Sequence, residues 1–162
     1  MKEIQFDFEN IGGLHHCYCI PATSFAGYSL NYLTKRVVLN SVDPTVVVSI
    51  PMYADGTYSF TENHGRDAAG DYWQPTVDGI IPKGSLENAS LLEELERGEW
   101  VVLAVDSNGS VRVCGDADTP LTFSTNTTTG SATSALNGIS FSFSGKLGHP
   151  SYVVDFDMDD LS

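Results

Sequence analysis

Two histidines and two thiols stand within five residues, His15, His16, Cys17 and Cys19 in HHCYC. These are the side-chain types that bind zinc, as neutral imidazole and thiolate. Whether they can converge depends on the backbone between them. Leu14, His16, Tyr18 and Ile20 alternate with His15, Cys17 and Cys19, which predicts a strand. At about 3.3 Å per residue, His15 and Cys19 would lie roughly 13 Å apart on it. Ligands of one zinc must all sit about 2.0–2.3 Å from the metal. Cys17 and Cys19 alone would need two partners from His64, His149 or Cys114, and nothing in the sequence brings them. The expectation is a strand whose small thiols pack inward, as buried free cysteine does.

Other residues pose the same question. His64 lies in a Gly-rich polar stretch, expected as a loop from Gly65 to Gly70, with Asp67 and Asp71 nearby; such a trio can do acid–base work. Tyr72, Trp73 and Trp100 suggest a sugar-stacking platform, although alternation makes Trp100 a core residue first. Asp155, Asp157 and Asp159, and likewise Asp116 and Asp118, offer carboxylates. They lack the glycine and bidentate glutamate of an EF-hand loop and read as solvated charge. No G-x-S-x-G, P-loop, H-E-x-x-H or G-x-G-x-x-G occurs. No catalytic residue, cofactor-binding residue or metal ligand is therefore assigned, and the chain is read as non-enzymatic.

Positioning elements must come from a single domain spanning 1–162. Eight Lys plus Arg stand against 21 Asp plus Glu, a net charge of −13. Such a surface repels phosphate backbones and anionic leaflets, which argues against nucleic-acid readout and membrane docking. Three cysteines imply no closed disulfide framework. The first residues show no apolar leader, and no run approaches the ~20 apolar residues of a spanning helix. Synthesis in a reducing cytoplasm is expected.

Period-two alternation dominates the chain. Strands are predicted at 4–8, 14–20, KRVVL, 45–53 with an Asp55-Gly56 hairpin onto TYSF, YWQPTVDGII, EWVVLAV, SVRVCG, PLTFS, ISFSFSG and SYVVDF. Pro75 should demote its strand to an edge or a bulge. One helix is predicted over Leu86–Arg97, with Leu91, Leu92 and Leu95 on its apolar face. Ser85 or Ser90 would cap it, the latter with Glu93, and Gly98 would take the left-handed terminal position. Polar loops are expected near 21–35 and 122–136, and an acidic tail over 155–162. The sum is a mainly β chain, an antiparallel sandwich or barrel with one flanking helix.

The C-terminal ~40% of the chain carries a further pattern. A helix ending at Arg97 leads to Trp100, Val101, Val102 and Leu103, an Asp106-x-Asn108-Gly109 hairpin and Gly115. Pro120, Leu121 and Phe123 follow, then Thr129-Gly130, then Asn137, Gly138, Phe141, Phe143 and Gly145. This resembles small prophage-encoded tail proteins. The resemblance implies a tail-tube-like protein that assembles into rings, commonly of six copies, with other tail proteins as partners and the virion as its final location. It also gives the acidic balance a use, since a channel that passes DNA without gripping it benefits from negative walls. Two rival readings are a receptor- or glycan-binding tail-tip module using Tyr72 and Trp73, and an enzyme built around His64.

Overall fold

The strand β7, Glu99–Asp106, has the sequence EWVVLAVD, an apolar run with no alternation. Such a run marks a strand buried on both faces. Residues Trp100 to Val105 are each 5% exposed or less. Trp100, Val102 and Ala104 enter one apolar core, and Val101, Leu103 and Val105 enter a second on the opposite face. The computed structural model describes residues 12–34, 36–51, 58–82, 86–128 and 138–156. The strand expected over 4–8, the Asp55-Gly56 turn and most of the acidic tail lie outside them.

β1, Leu14–Pro21, pairs with β7 along one edge, from Leu14 opposite Asp106 to Pro21 opposite Trp100. Two strands share the other edge. β9, Leu121–Thr128, holds Glu99 and Trp100, while β8, Val111–Cys114, holds Val102 to Val105. The sheet divides at Val101. From β8 it continues through β11 (Tyr152–Asp155) and β3 (Arg36–Leu39) to an end at β2 (Tyr28–Asn31). From β9 it continues through β10 (Gly138–Ser144) and β6 (Gly70–Pro82) to an end at β5 (Ser59–Asp67). β4, Val48–Pro51, pairs with the outer edge of β1. Among these ladders only β3–β11 is parallel. The sheet does not close into a barrel; the fold is a β-sandwich with one flanking helix.

Alternation explains both cores. Phe141 and Phe143 of β10 meet Phe123 of β9, with ring centroids 5.8 and 4.8 Å from it. The serines between them stay at the other face, as HPHPH patterning requires.

The helix α1 spans Leu86–Arg97 as expected, but three of its details differ. Leu92 and Leu95 are buried, whereas Leu91 is 37% exposed, because α1 covers the sheet with a narrow stripe. Ser90 lies inside the helix and caps nothing at its start, and Ser85 is outside the described residues. Gly98 does not take a left-handed conformation. It is required for space, since a Cβ there would fall 2.8 Å from the Trp100 ring. That ring ends the helix by donating from Nε1 to the Leu95 carbonyl at 2.9 Å.

Five other expectations are corrected. Residues 45–53 do not form one strand, because Pro44–Val46 make a 3-10 turn capped by Asp43, and β4 pairs with β1. The loop expected from Gly65 to Gly70 is the tip of a tight hairpin in which Asp67 faces Gly70. The loop near 21–35 contains β2, and that near 122–136 is strand as far as Thr128, with 129–137 outside the described residues. Pro75 is in an interior strand, but beyond the last β10–β6 pair, Ser144 opposite Thr76. The same edge resumes at a Trp73–Leu147 bridge with amide bonds of 2.9 and 2.7 Å, so the missing N–H of Pro75 falls in the gap.

Candidate functional site

Cys17 and Cys19 point from β1 into the first core, as alternation predicts, and both are fully buried. Cys114 joins them there. Cys19 lies opposite Val102 on β7, and Val102 lies opposite Cys114 on β8, so a valine separates the two thiols across three strands. All three are free. Burial pushes their pKa values up, that of Cys114 to about 12, and for Cys17 the neighbouring thiols add to the rise. They remain thiols at neutral pH, and a protonated, buried thiol is a poor nucleophile. Among the described residues no group of three or more His, Cys, Asp or Glu is placed to hold a metal. His15 is exposed beside a register shift, and His16 stacks on Tyr18 at 4.3 Å with Nε2 2.7 Å from Ser49 Oγ.

The β5–β6 hairpin separates the residues around His64. Pairing of His64 with Trp73, Gly65 with Tyr72 and Arg66 with Asp71 places alternate pairs on opposite faces. On one face His64 Nε2 is 3.3 Å from Asp71, and Arg66 grips the same carboxylate with bonds of 2.7 and 3.1 Å. The Arg66 hydrogen bond is the main reason that Asp71 titrates below the usual carboxylate range. Asp67 is on the other face, bound by Lys146 at 2.8 Å. The expected trio is therefore split. The stacking platform is split too, because Tyr72 and Trp73 are consecutive on one strand. The His64 ring lies 4.9 Å from that of Trp73. Tyr72 is enclosed between Lys146 Nζ, 4.2 Å from its centroid, and Gly65, where a Cβ would fall 2.4 Å from its ring. Trp100, the third aromatic, is core.

A cluster that sequence reasoning missed is the best-built polar site among the described residues. Asp116 follows β8 and organises the turn to β9: its Oδ1 accepts from the Asp118 and Thr119 amides at 2.9 and 2.7 Å and from Thr119 Oγ1 at 3.0 Å. Its Oδ2 lies 2.8 Å from His149 Nε2. The other imidazole nitrogen, Nδ1, is 2.9 Å from the Pro150 carbonyl. Both partners are acceptors, an arrangement that favours the doubly protonated ring, in which each nitrogen donates. Burial opposes that charge, but the bonds to Asp116 and Pro150, with Glu62 close by, raise the His149 pKa above its ordinary value. Burial likewise works against the Asp116 charge, and the bonds from His149, Thr119 and Asp118 outweigh it and lower its pKa.

The His149 ring lies parallel to Tyr152 of β11 at 5.2 Å, and Tyr28 of β2 stands edge-on to Tyr152 at 5.4 Å. Glu62 of β5 accepts from the Ser151 amide at 3.0 Å. The cluster thus ties the β8–β9 turn and the 149–151 segment to β2, β11 and β5. It has no nitrogen left to activate a nucleophile, since each is already bonded. It is a latch between elements. The only signals in the sequence were the turn-forming DADT and a lone His before proline, and neither names a partner 33 residues away.

Asp118 contributes only its amide to that turn. Asp155 pairs with Arg36 at 3.2 Å, both exposed, while Asp157 and Asp159 lie outside the described residues. No helix among the described residues is long and apolar enough to cross a membrane. No known protein family, curated protein or solved structure matches the chain.

Proposed function

We propose that this chain is a non-enzymatic, self-assembling structural component of a phage or prophage tail, a tube or tube-like ring protein that ends in the virion. The observation that carries the reading is the open sheet. Among the described residues it ends in strands paired on one side only, β2, β5 and, off the main path, β4, and an unpaired strand edge is a template for another chain. The residues behind the tail-protein resemblance support it by their roles. Trp100 to Leu103, Leu121, Phe123, Phe141 and Phe143 are core, Asp106 and Gly109 close the β7–β8 turn with a 3.0 Å bond, and Gly145 leaves room for Leu121. The resemblance is thus one of scaffold, and scaffold is what a ring protein supplies. The −13 charge suits a wall past which DNA must slide.

The enzyme reading loses support because the carboxylate beside His64 is also gripped by Arg66, and Asp67 lies on the other face with Lys146. The glycan reading loses its platform with Tyr72 and Trp73 on opposite faces. Negative-stain electron microscopy of the concentrated chain tests the proposal: rings or short tubes support it, and a field of single particles of monomer size counts against it. A glycan array with a Trp73→Ala control separates the rival, which predicts binding that the substitution abolishes.

A further inference from the structure

One stretch of the chain differs from the rest in charge. Between Glu9 and Asp43 there is no Asp or Glu, in a sequence that has 21, and Lys35 and Arg36 are its only formal charges at pH 7. This stretch supplies β1, β2 and β3. Five large apolar side chains are exposed among the described residues, and three of them belong to β2 and the turn after it: Leu30 at 46%, Tyr32 at 77% and Leu33 at 96%. The turn presents them in a defined way, because Asn31 Oδ1 accepts from the Leu33 and Thr34 amides at 3.0 and 3.2 Å. The other sheet end, β5, carries Glu62, Arg66 and Asp67, the charges that ordinarily protect an edge. β2 has none.

A surface of complementary character lies beside α1. A groove of about 790 Å³ runs between the helix and residues 21–23, lined by Pro21, Ala22, Gly98 and Trp100 and by polar residues that include Glu94 and Glu99. Small-molecule sites span roughly 300–1,000 Å³, so two side chains fit. Arg97 is engaged by Glu93, which leaves the other two carboxylates without a cation partner among the described residues. The registers put Val37 of β3 level with Val154, Val111 and Val105, not with Glu99 and Trp100 at the groove. Tyr32 and Leu33 are exposed, so the groove does not hold its own chain's tip.

The geometry points to a second copy of this chain as the occupant: the β2–β3 tip of one copy sits in the α1 groove of another, with Leu33 and Tyr32 alongside Pro21 and Arg36 toward Glu94 and Glu99. An acid-free tip is the part of a −13 chain that can approach another copy without like-charge repulsion. Arg36 gives up only an exposed pair with Asp155, which contributes little. The inference rests on the self-association proposed above and names its contact.

The test mixes full-length Leu33→Cys chains with Glu94→Cys chains under mild oxidation; the three native thiols are buried and do not compete. A disulfide joining the two variants is expected at least tenfold above that formed with an Ala68→Cys control at the β5–β6 tip. Leu33→Asp should weaken self-association measured by light scattering at least tenfold without changing the circular-dichroism melt. Wild-type assembly with cross-linking no better than control overturns this contact and leaves the assembly reading standing. A wild-type chain that is monomeric at every concentration overturns both.

Discussion

Replacing His149 with glutamine removes the charge from the latch but keeps a hydrogen-bonding side chain, and the cost should depend on pH. A hydrogen bond to a charged group contributes roughly 1.5–3 kcal/mol. The 25% exposure of both side chains in the His149–Asp116 pair places it at the low end through solvent screening. Loss of the parallel stack on Tyr152 adds about 0.5 kcal/mol. The expected penalty is about 2 kcal/mol where the pair is charged, a fall in Tm of about 4–8 °C for a chain of this size. The sign of the pH dependence follows from the two shifts. The raised His149 value makes its contribution complete below the ordinary 6.5, and it is lost as pH rises through the higher folded value. The lowered Asp116 value makes its contribution complete above 3.8, and it is lost as pH falls through the lower folded value. The penalty should therefore be full near about pH 5.5 and shrink toward the stack alone near about pH 9. Urea denaturation of wild type and His149→Gln at both values measures it. An equal penalty at both, or a larger one at the alkaline value, would mean a neutral ring in the folded protein and would refute the ionic latch.

Other consequences are as specific. Gly79→Ala would place a Cβ 2.2 Å from Tyr58 and 2.6 Å from Phe141, both buried; a loss of about 1–3 kcal/mol is expected, read as a lower urea midpoint at unchanged m-value. Cys17, Cys19 and Cys114 should resist a thiol reagent in the native protein, and all three should react once it is unfolded, given their burial; a fast-reacting thiol in the native chain would contradict the first core. Trp100→Phe keeps most of the packing but deletes the bond to the Leu95 carbonyl, which should cost about 1 kcal/mol and increase amide exchange in the last turn of α1.

The sequence was most informative where burial differs between faces. Ile139, Phe141 and Phe143 alternate with polar residues, so β10 was legible, and Leu86–Arg97 was legible from its leucines and from the Gly98 that follows. The three leucines did not reveal which two would be buried, because that depends on how much of the helix β9 covers. The end of the β5–β6 arm from Gly65 to Gly70 reads as a loop in sequence because much of it is exposed; with water at both faces, alternation carries no apolar signal. β4 was assigned to its neighbour in sequence, but β1 offered the free edge. The latch was invisible for a different reason: it depends on the turn after β8 meeting the segment before β11, and no local pattern encodes that meeting. Of the residues singled out for chemistry, the thiols behaved as spacing predicted, while strand pleat separates Asp67 from the His64–Asp71 pair and Tyr72 from Trp73.

What the chain does is held here to be done by surfaces meeting surfaces, and sedimentation velocity of the wild-type protein across a wide concentration range tests that most directly. The account predicts that mass rises with concentration toward a closed multiple of the 17.5 kDa chain. A single boundary of monomer mass at every concentration would contradict it.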